Sequence, residues 1–323
     1  MKALLCRDLS GDIGTLRIEN VLLPPLGVSE VRVRVRAAAV NFPDLLMVQG
    51  KYQHRPELPF VVGGEFAGEV VQTGTLVEKF RIGDAVIGGG LTGAFAEEAQ
   101  VSETQLRPLP KDTDFATAAG FTMAYLTAYV SLVRRADLRE GEFLLVHGAS
   151  GGVGLAAVDL GRVLGARVIA TASNETKRNF LMRYGAEHVL PSAGFRETVK
   201  AITAGRGADV IYDPVGGDVF DESTRCIAFN GRLLVVGFAS GRIPSINANI
   251  PLIKGFSVVG VRAGEFGRRA PQKGHENIEA IDALLAAGKL KPHIGARFGL
   301  DQAVDAMRML SERKAIGKVI VEP

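Results

Sequence analysis

Phe143-Leu-Leu-Val-His-Gly-Ala-Ser-Gly-Gly-Val-Gly154 is a short apolar run that ends in a glycine-rich turn. Phe143 to Val146 has the compact apolar character of a strand buried on both faces of a parallel sheet. Beyond the glycines, Leu155, Val158, Leu160, Val163 and Leu164 recur at roughly helical spacing as far as Gly165. The glycines therefore join a strand to a helix. Gly148, Gly151 and Gly154 carry no Cβ to hold a pyrophosphate away from backbone N–H groups, and a helix start offers unpaired donors and partial positive charge. Gly148, Ser150, Gly151, Gly152, Val153 and Gly154 thus form a candidate dinucleotide cradle. Glycine triplets also serve ordinary turns, but the strand before, the helix after and a second strand at 167–171 favour the nucleotide.

From Phe143 onward strands and helices alternate, which argues for a parallel sheet with helices on both faces. Strands are expected at 143–147, 167–171, 187–190, 208–213, 232–237 and 257–261, enough to fill a six-stranded Rossmann sheet. Helices near 275–287 and 301–313 follow, then a last strand over 318–321. The N-terminal part reads as mainly β. Glu30-Val-Arg-Val-Arg-Val-Arg36 alternates strictly, placing Val31, Val33 and Val35 on one face and the arginines on a solvated one. Residues 68–72, 84–87 and 94–101 add short strands, as in a sandwich or partly open barrel, and Pro43 suits the start of a short helix. The expected class is α/β. Its division is a β-rich domain over 1–122, a doubly wound domain over 123–262 and a C-terminal return to the first domain over 263–323.

At 323 residues with 47% hydrophobic content, the chain can fill two cores. Its formal charge of +3 comes from Lys and Arg scattered among Asp and Glu, so neither nucleic acid nor a membrane surface is indicated as a partner. No apolar run reaches the roughly 18 residues of a membrane span, and Met1-Lys-Ala-Leu-Leu-Cys-Arg-Asp8 is too short and too soon charged for a signal peptide. A cytoplasmic location is expected. Cys6 and Cys226 are the only cysteines, and His54, His147, His188, His275 and His293 form no ligand pair, so no metal site is expected.

Cofactor choice is written at the end of the second strand, where an NAD site places Asp or Glu against the adenosine ribose. Here that stretch reads Thr171-Ala-Ser-Asn174. Ser173 can donate to a 2′-phosphate, and Lys177 and Arg178 follow in the first helical turn, where cations oppose the helix dipole unless an anion is bound. NADPH is therefore expected over NADH. The alternative is a Ser173 that only caps the helix, with both basic side chains in water. Phe238 and Val261 end the fifth and sixth strands, where a nicotinamide ring lies in this topology.

Val40-Asn-Phe-Pro-Asp44, Phe60-Val-Val-Gly-Gly-Glu-Phe-Ala-Gly68, the glycine loop, Asp213-Pro-Val-Gly-Gly217 and Gly237-Phe-Ala-Ser-Gly241 stand together in telling order and spacing. Over nearly its whole length the chain resembles the medium-chain dehydrogenase/reductase superfamily and, within it, the zinc-independent NADPH:quinone oxidoreductases. The resemblance implies a GroES-like catalytic domain built from the N-terminal part and the C-terminal return, with the Rossmann domain between. It also implies a homodimer paired through the last Rossmann strand, and cofactor contacts at Val215 and Thr127. Thr127 has the alternative role of a helix-core hydroxyl bonded to its own backbone.

In the zinc-dependent relatives a Cys stands at the position of Asn41 and a His at that of Gly64, so both ligand positions are lost here. Without a Lewis acid, alcohol oxidation gives way to an acceptor carrying its own electrophile, a quinone or an α,β-unsaturated carbonyl. Oxyanion charge developing on that acceptor needs donors. The resemblance offers Asn41 and Tyr52, with Phe42 and Leu45 in the acceptor wall. Their structural alternatives are a turn-shaping Asn41 and a loop aromatic at Tyr52. His147 is expected to be a hydrogen-bonded structural imidazole. Two rival functions are an enoyl-thioester reductase, with Arg262, Arg268 and Arg269 receiving phosphate, and a non-catalytic NADPH-binding protein with an RNA-binding role.

Overall fold

Alternating valines decide the first unit. In the computed structural model, which describes residues 1–323, the N-terminal elements are β1 (Lys2–Cys6), β2 (Arg17–Asn20), β3 (Glu30–Val40), α1 (Phe42–Val48) and β4 (Phe60–Val61). β5 (Glu65–Thr73), β6 (Ala85–Gly89), β7 (Glu98–Ser102), β8 (Leu106–Pro108) and α2 (Phe115–Tyr129) follow. Val31, Val33 and Val35 are buried while Arg34 and Arg36 face water, as a period of two requires. β3 is the strand on which the main sheet is built. It pairs antiparallel with both β5 and β7. Of the run 94–101 expected as one strand, only the end from Glu98 joins the ladder, and Ala96 makes an isolated bridge to Ala3.

The second unit is a six-stranded parallel sheet. It contains β9 (Phe143–Val146), α3 (Gly152–Val163), β10 (Arg167–Ala172), α4 (Glu175–Tyr184), β11 (His188–Pro191), α5 (Arg196–Ile202) and β12 (Ala208–Asp213). α6 (Asp218–Ser223), β13 (Ile227–Val235), α7 (Asn249–Lys254), β14 (Ser257–Gly260), α8 (Ala263–Arg269) and α9 (Pro271–Ala286) complete it. The strand order β11-β10-β9-β12-β13-β14 reverses direction between β9 and β12, so the strand ends flanking that point form the ligand crevice of a doubly wound sheet. Leu145, Ile169, Ile211 and Leu233 from four of its strands meet Phe195 in the core beneath.

The chain returns as β15 (Ile294–Gly299), α10 (Ala303–Ser311) and β16 (Lys318–Glu322). β16 pairs antiparallel with β3, so the C-terminus completes the seven-stranded sheet of the first unit. The two units are 1–122 with 292–323, and 123–291. Residues 263–291, assigned from the sequence to the return, group instead with the second unit. Polar bonds tie α9 there: Arg134 donates to the buried Asn277 amide oxygen at 2.7 Å and to Glu276 at 2.8 Å.

One helix, inside the stretch 113–136 where the sequence pattern turns helical, is more apolar than its broken apolar runs suggest. Phe115–Arg135 spans 21 residues with a mean hydropathy of 1.3, enough by length and composition to cross a membrane, but 61% of its apolar window is buried inside the protein. Ala116, Ala118 and Ala119 pack there against Ala37, Ala67 and Ile320. Polar Thr and Ser residues interrupt it, so no unbroken apolar run betrays it.

Candidate active site

The glycine loop leaves β9 with its Ala149 and Gly151 amides bonded to the Thr171 and Gly148 carbonyls, and enters α3 with the next amides uncommitted. Gly151 caps α3 without a side-chain bond, and the N–H groups of Gly152, Val153 and Gly154 have no partner in the chain. Two glycines are demanded by geometry. Gly148 has a φ of +54°, which L side chains avoid, and a Cβ on Gly154 would stand 2.3 Å from the Gly148 carbonyl oxygen. The turn is thus closed on itself with donors pointing outward, a fit for a pyrophosphate. Ser150 is buried beside it.

Asp213, Phe238 and Val261 gather at the ends of neighbouring strands, as their places in the sheet predict. The Asp213 carboxylate accepts from the Val215 and Gly216 amides at 2.8 and 2.9 Å, which holds the turn after β12 open. Burial pushes its pKa up to about 6 against those two bonds. A Cβ on Gly148 would touch Val215 at 3.2 Å, and one on Gly216 would meet the Phe238 ring at 2.9 Å. Ala239 and Ser240 donate back to the Pro214 and Val215 carbonyls, and Val261 to Val235. Glycine loop, Val215 and Phe238 therefore form one edge. Thr127 differs: its hydroxyl donates to the Met123 carbonyl of its own helix at 2.7 Å, leaving only its lone pairs to offer.

At the end of β10 the cap is Asn174, whose side chain accepts from the Lys177 amide at 2.9 Å. Ser173 is not the cap. Its hydroxyl is exposed, Arg178 is half-exposed, and Lys177 is buried at 7% exposure, with its pKa lowered by loss of solvent. An ammonium at a helix start, deprived of water, is disfavoured twice, and a bound phosphate relieves both penalties.

His147 is fully buried between Thr171 and Ser223. Nε2 lies 2.8 Å from the Ser223 hydroxyl, which itself donates to the Val219 carbonyl, so Nε2 carries the proton and Nδ1 accepts from Thr171 at 3.0 Å. Burial pushes its pKa down to about 3. The imidazole is neutral and spent on structure.

In the first unit, Asn41 ends β3 and caps α1. Its Nδ2 donates to the Ala39 carbonyl at 3.2 Å and to Glu65 Oε1 at 3.0 Å, while Oδ1 accepts from Lys318 Nζ at 2.5 Å. Both amide hydrogens are consumed, and only 8% of the residue is exposed. The Lys318–Glu65 pair, a buried bridge of 2.8 Å, went unnoticed in the sequence; its signal is two charges inside otherwise apolar strands. Tyr52 is the converse. Its ring packs on the core, and its hydroxyl bonds to nothing in the chain. Leu45, expected in the acceptor wall, is 3% exposed and belongs to the core, whereas Phe42 is 36% exposed.

Asp44 accepts from the Asn41 amide at 2.7 Å and is fully buried. Burial pushes its pKa up to about 7, opposed by that bond and the Lys318 charge and reinforced by Glu65. The unfolded group titrates near 3.8, so between the two values only the native chain holds the proton, and stability falls as pH rises from about 4 to about 7. Asp44→Asn keeps the acceptor and removes the titration. Urea unfolding across that window should find the variant's loss of stability smaller than the wild type's by on the order of 4 kcal/mol.

The arginines considered for a thioester phosphate are partly neutralised. Arg268 and Arg269 bridge to Glu265 at 2.9 and 2.7 Å, with Arg262 at 3.8 Å. No three His, Cys, Asp or Glu side chains gather as a metal ligand set.

Residues 27–111 match the alcohol dehydrogenase GroES-like domain family, and residues 152–282 the zinc-binding dehydrogenase family. A GroES-like β-rich domain joined to a six-stranded Rossmann sheet defines a medium-chain dehydrogenase/reductase. The chain is 43% identical to a quinone oxidoreductase-like protein 2 homolog of Nematostella vectensis, covering 99% of this chain and 88% of that protein. It is 34% identical to a quinone oxidoreductase of Pseudomonas aeruginosa, covering 92% of each. The Escherichia coli quinone oxidoreductase complexed with NADPH superposes with a TM-score of 0.91 at 26% identity, covering 100% of both chains. The CurK enoyl reductase does so with 0.89 at 27%, covering 99% of each. This chain belongs to the quinone oxidoreductase family of that superfamily and is an oxidoreductase.

Proposed function

We propose that the protein is an NADPH-dependent reductase of quinones or related α,β-unsaturated carbonyl compounds, working without a metal. The observation that carries this reading is the first unit's buried cluster: Asn41, at a position where the resemblance puts a zinc ligand in the zinc-dependent relatives, is bonded to a buried Lys318–Glu65 ion pair. The outward amides of 152–154 would hold the pyrophosphate, and Ser173, Lys177 and Arg178 the 2′-phosphate. NADPH supplies a hydride when bound. Tyr52 then donates a hydrogen bond to the acceptor's carbonyl oxygen as negative charge develops there, the one donor of the pair still free to do so. Asn41 keeps the start of α1 in place.

Oxidation of NADPH in the presence of quinones or simple enones, followed by absorbance, tests the reading. Turnover of acyl-CoA alone decides for the enoyl-thioester reductase that the likeness to CurK supports. Binding of NADPH without turnover of any conjugated acceptor decides for the non-catalytic reading.

The same proposal includes a homodimer. β14 is an open sheet edge, and Phe229, Leu252 and Ile253 beside it are 76%, 80% and 74% exposed. A second copy pairing along β14 would cover both the unpaired backbone and the apolar side chains. Light scattering should give twice the chain mass of 34.3 kDa, and a monomer would refute it.

A further inference from the structure

The first unit buries four polar side chains, and all of them belong to one cluster: Asn41, Asp44, Glu65 and Lys318. Sheet register assembles it. Val319 stands opposite Val40 on one side of β3, and Phe66 opposite Ala38 on the other, so Lys318 and Glu65 reach the end of β3 from both flanking strands. There the chain turns into α1. A buried ion pair is a poor source of stability compared with apolar residues of the same volume, but it is selective about geometry. The Lys318 ammonium accepts nothing and Glu65 donates nothing, so the Asn41 carboxamide has one orientation that satisfies both.

The consequence runs along α1. Asn41 is its cap, Asp44 in its first turn holds the Asn41 amide, and the Leu46 carbonyl near its other end accepts from Lys51 at 2.8 Å and Tyr52 at 3.2 Å. Tyr52 is therefore hung from a short helix whose start is fixed from the C-terminal strand. We propose that Lys318 is a positioning residue for acceptor reduction: by orienting the Asn41 carboxamide it sets α1, and through α1 the place of the Tyr52 hydroxyl that meets the quinone or enone oxygen. This rests on the reading of Tyr52 as donor. The contact that links the C-terminus to the donor lies wholly within the first unit, so cofactor binding by the second is separable from it.

The test compares wild type, Tyr52→Phe, the neutral pair Lys318→Met/Glu65→Gln, and the triple variant. Affinity of the enzyme–NADP⁺ complex, which cannot turn over, for a quinone, affinity of the enzyme for NADPH, and kcat and KM are measured well below each melting temperature. The neutral pair should bind NADPH within about twofold of wild type, while quinone affinity and kcat/KM fall about tenfold or more, as a displaced donor requires. Tyr52→Phe should then add less than about threefold in that background, far below its effect in wild type. Unchanged kcat/KM in a folded neutral pair, or losses that simply multiply, would overturn the proposal. If Tyr52→Phe alone leaves wild-type kcat/KM intact, the donor reading fails instead, and the two failures are told apart. Asn41→Ala breaks the same link from the other side and is read identically should the neutral pair not fold.

Discussion

Tyr52→Phe is expected to lower kcat/KM toward a quinone by about 100-fold, the usual scale for one donor to a developing oxyanion, with NADPH affinity unchanged. The expectation rests on an accounting of hydrogens. Asn41, the other donor that the resemblance offers, has given one N–H to Ala39 and one to Glu65, and its oxygen is taken by Lys318. Tyr52 keeps its O–H while its ring is fixed against the core, so loss of one oxygen atom removes the donor without opening a cavity. Steady-state kinetics with a quinone series, paired with NADPH titration, checks it. A fall in NADPH affinity instead of kcat/KM would assign Tyr52 to binding.

The second large effect is at Lys177. Lys177→Met should weaken NADPH binding by about 10- to 100-fold, the range of one charge-assisted hydrogen bond to phosphate, and leave NADH binding within a few-fold of wild type. The side chain is already deprived of water at a helix start, so its ammonium is pre-placed and its desolvation is already met in the free protein. Met preserves the aliphatic stem that fills the site. Ser173 and Arg178 are more exposed and should show smaller losses, since water competes for their hydrogen bonds. Equal losses for NADPH and NADH on Lys177→Met would place the lysine at the pyrophosphate and remove the argument for cofactor selectivity.

Local patterns were legible where one element carries its own signal. The valine alternation in β3, the Pro43 start of α1 and the six strands of the second unit all appear within a few residues of their expected places. The helix over Phe115–Arg135 was also legible, falling inside the stretch 113–136 where the pattern turns helical, although threonines and serines break its apolar run. Assignment of α9 to the second unit escaped the sequence because its polar tie is Arg134 reaching Asn277, 143 residues away.

The sequence by itself determined the glycine turn, since Gly148 and Gly154 stand where a Cβ cannot be, and its resemblance to the superfamily implied the loss of two ligand positions, at Asn41 and Gly64. Only the tertiary structure decided which polar groups are still free to act. Hydrogen-bond capacity is consumed by neighbours in space, and Asn41 meets its partners on strands 24 and 277 residues distant. That register spends the carboxamide, leaves the phenol of Tyr52 open, and puts a lysine from the C-terminal strand at the start of the first helix.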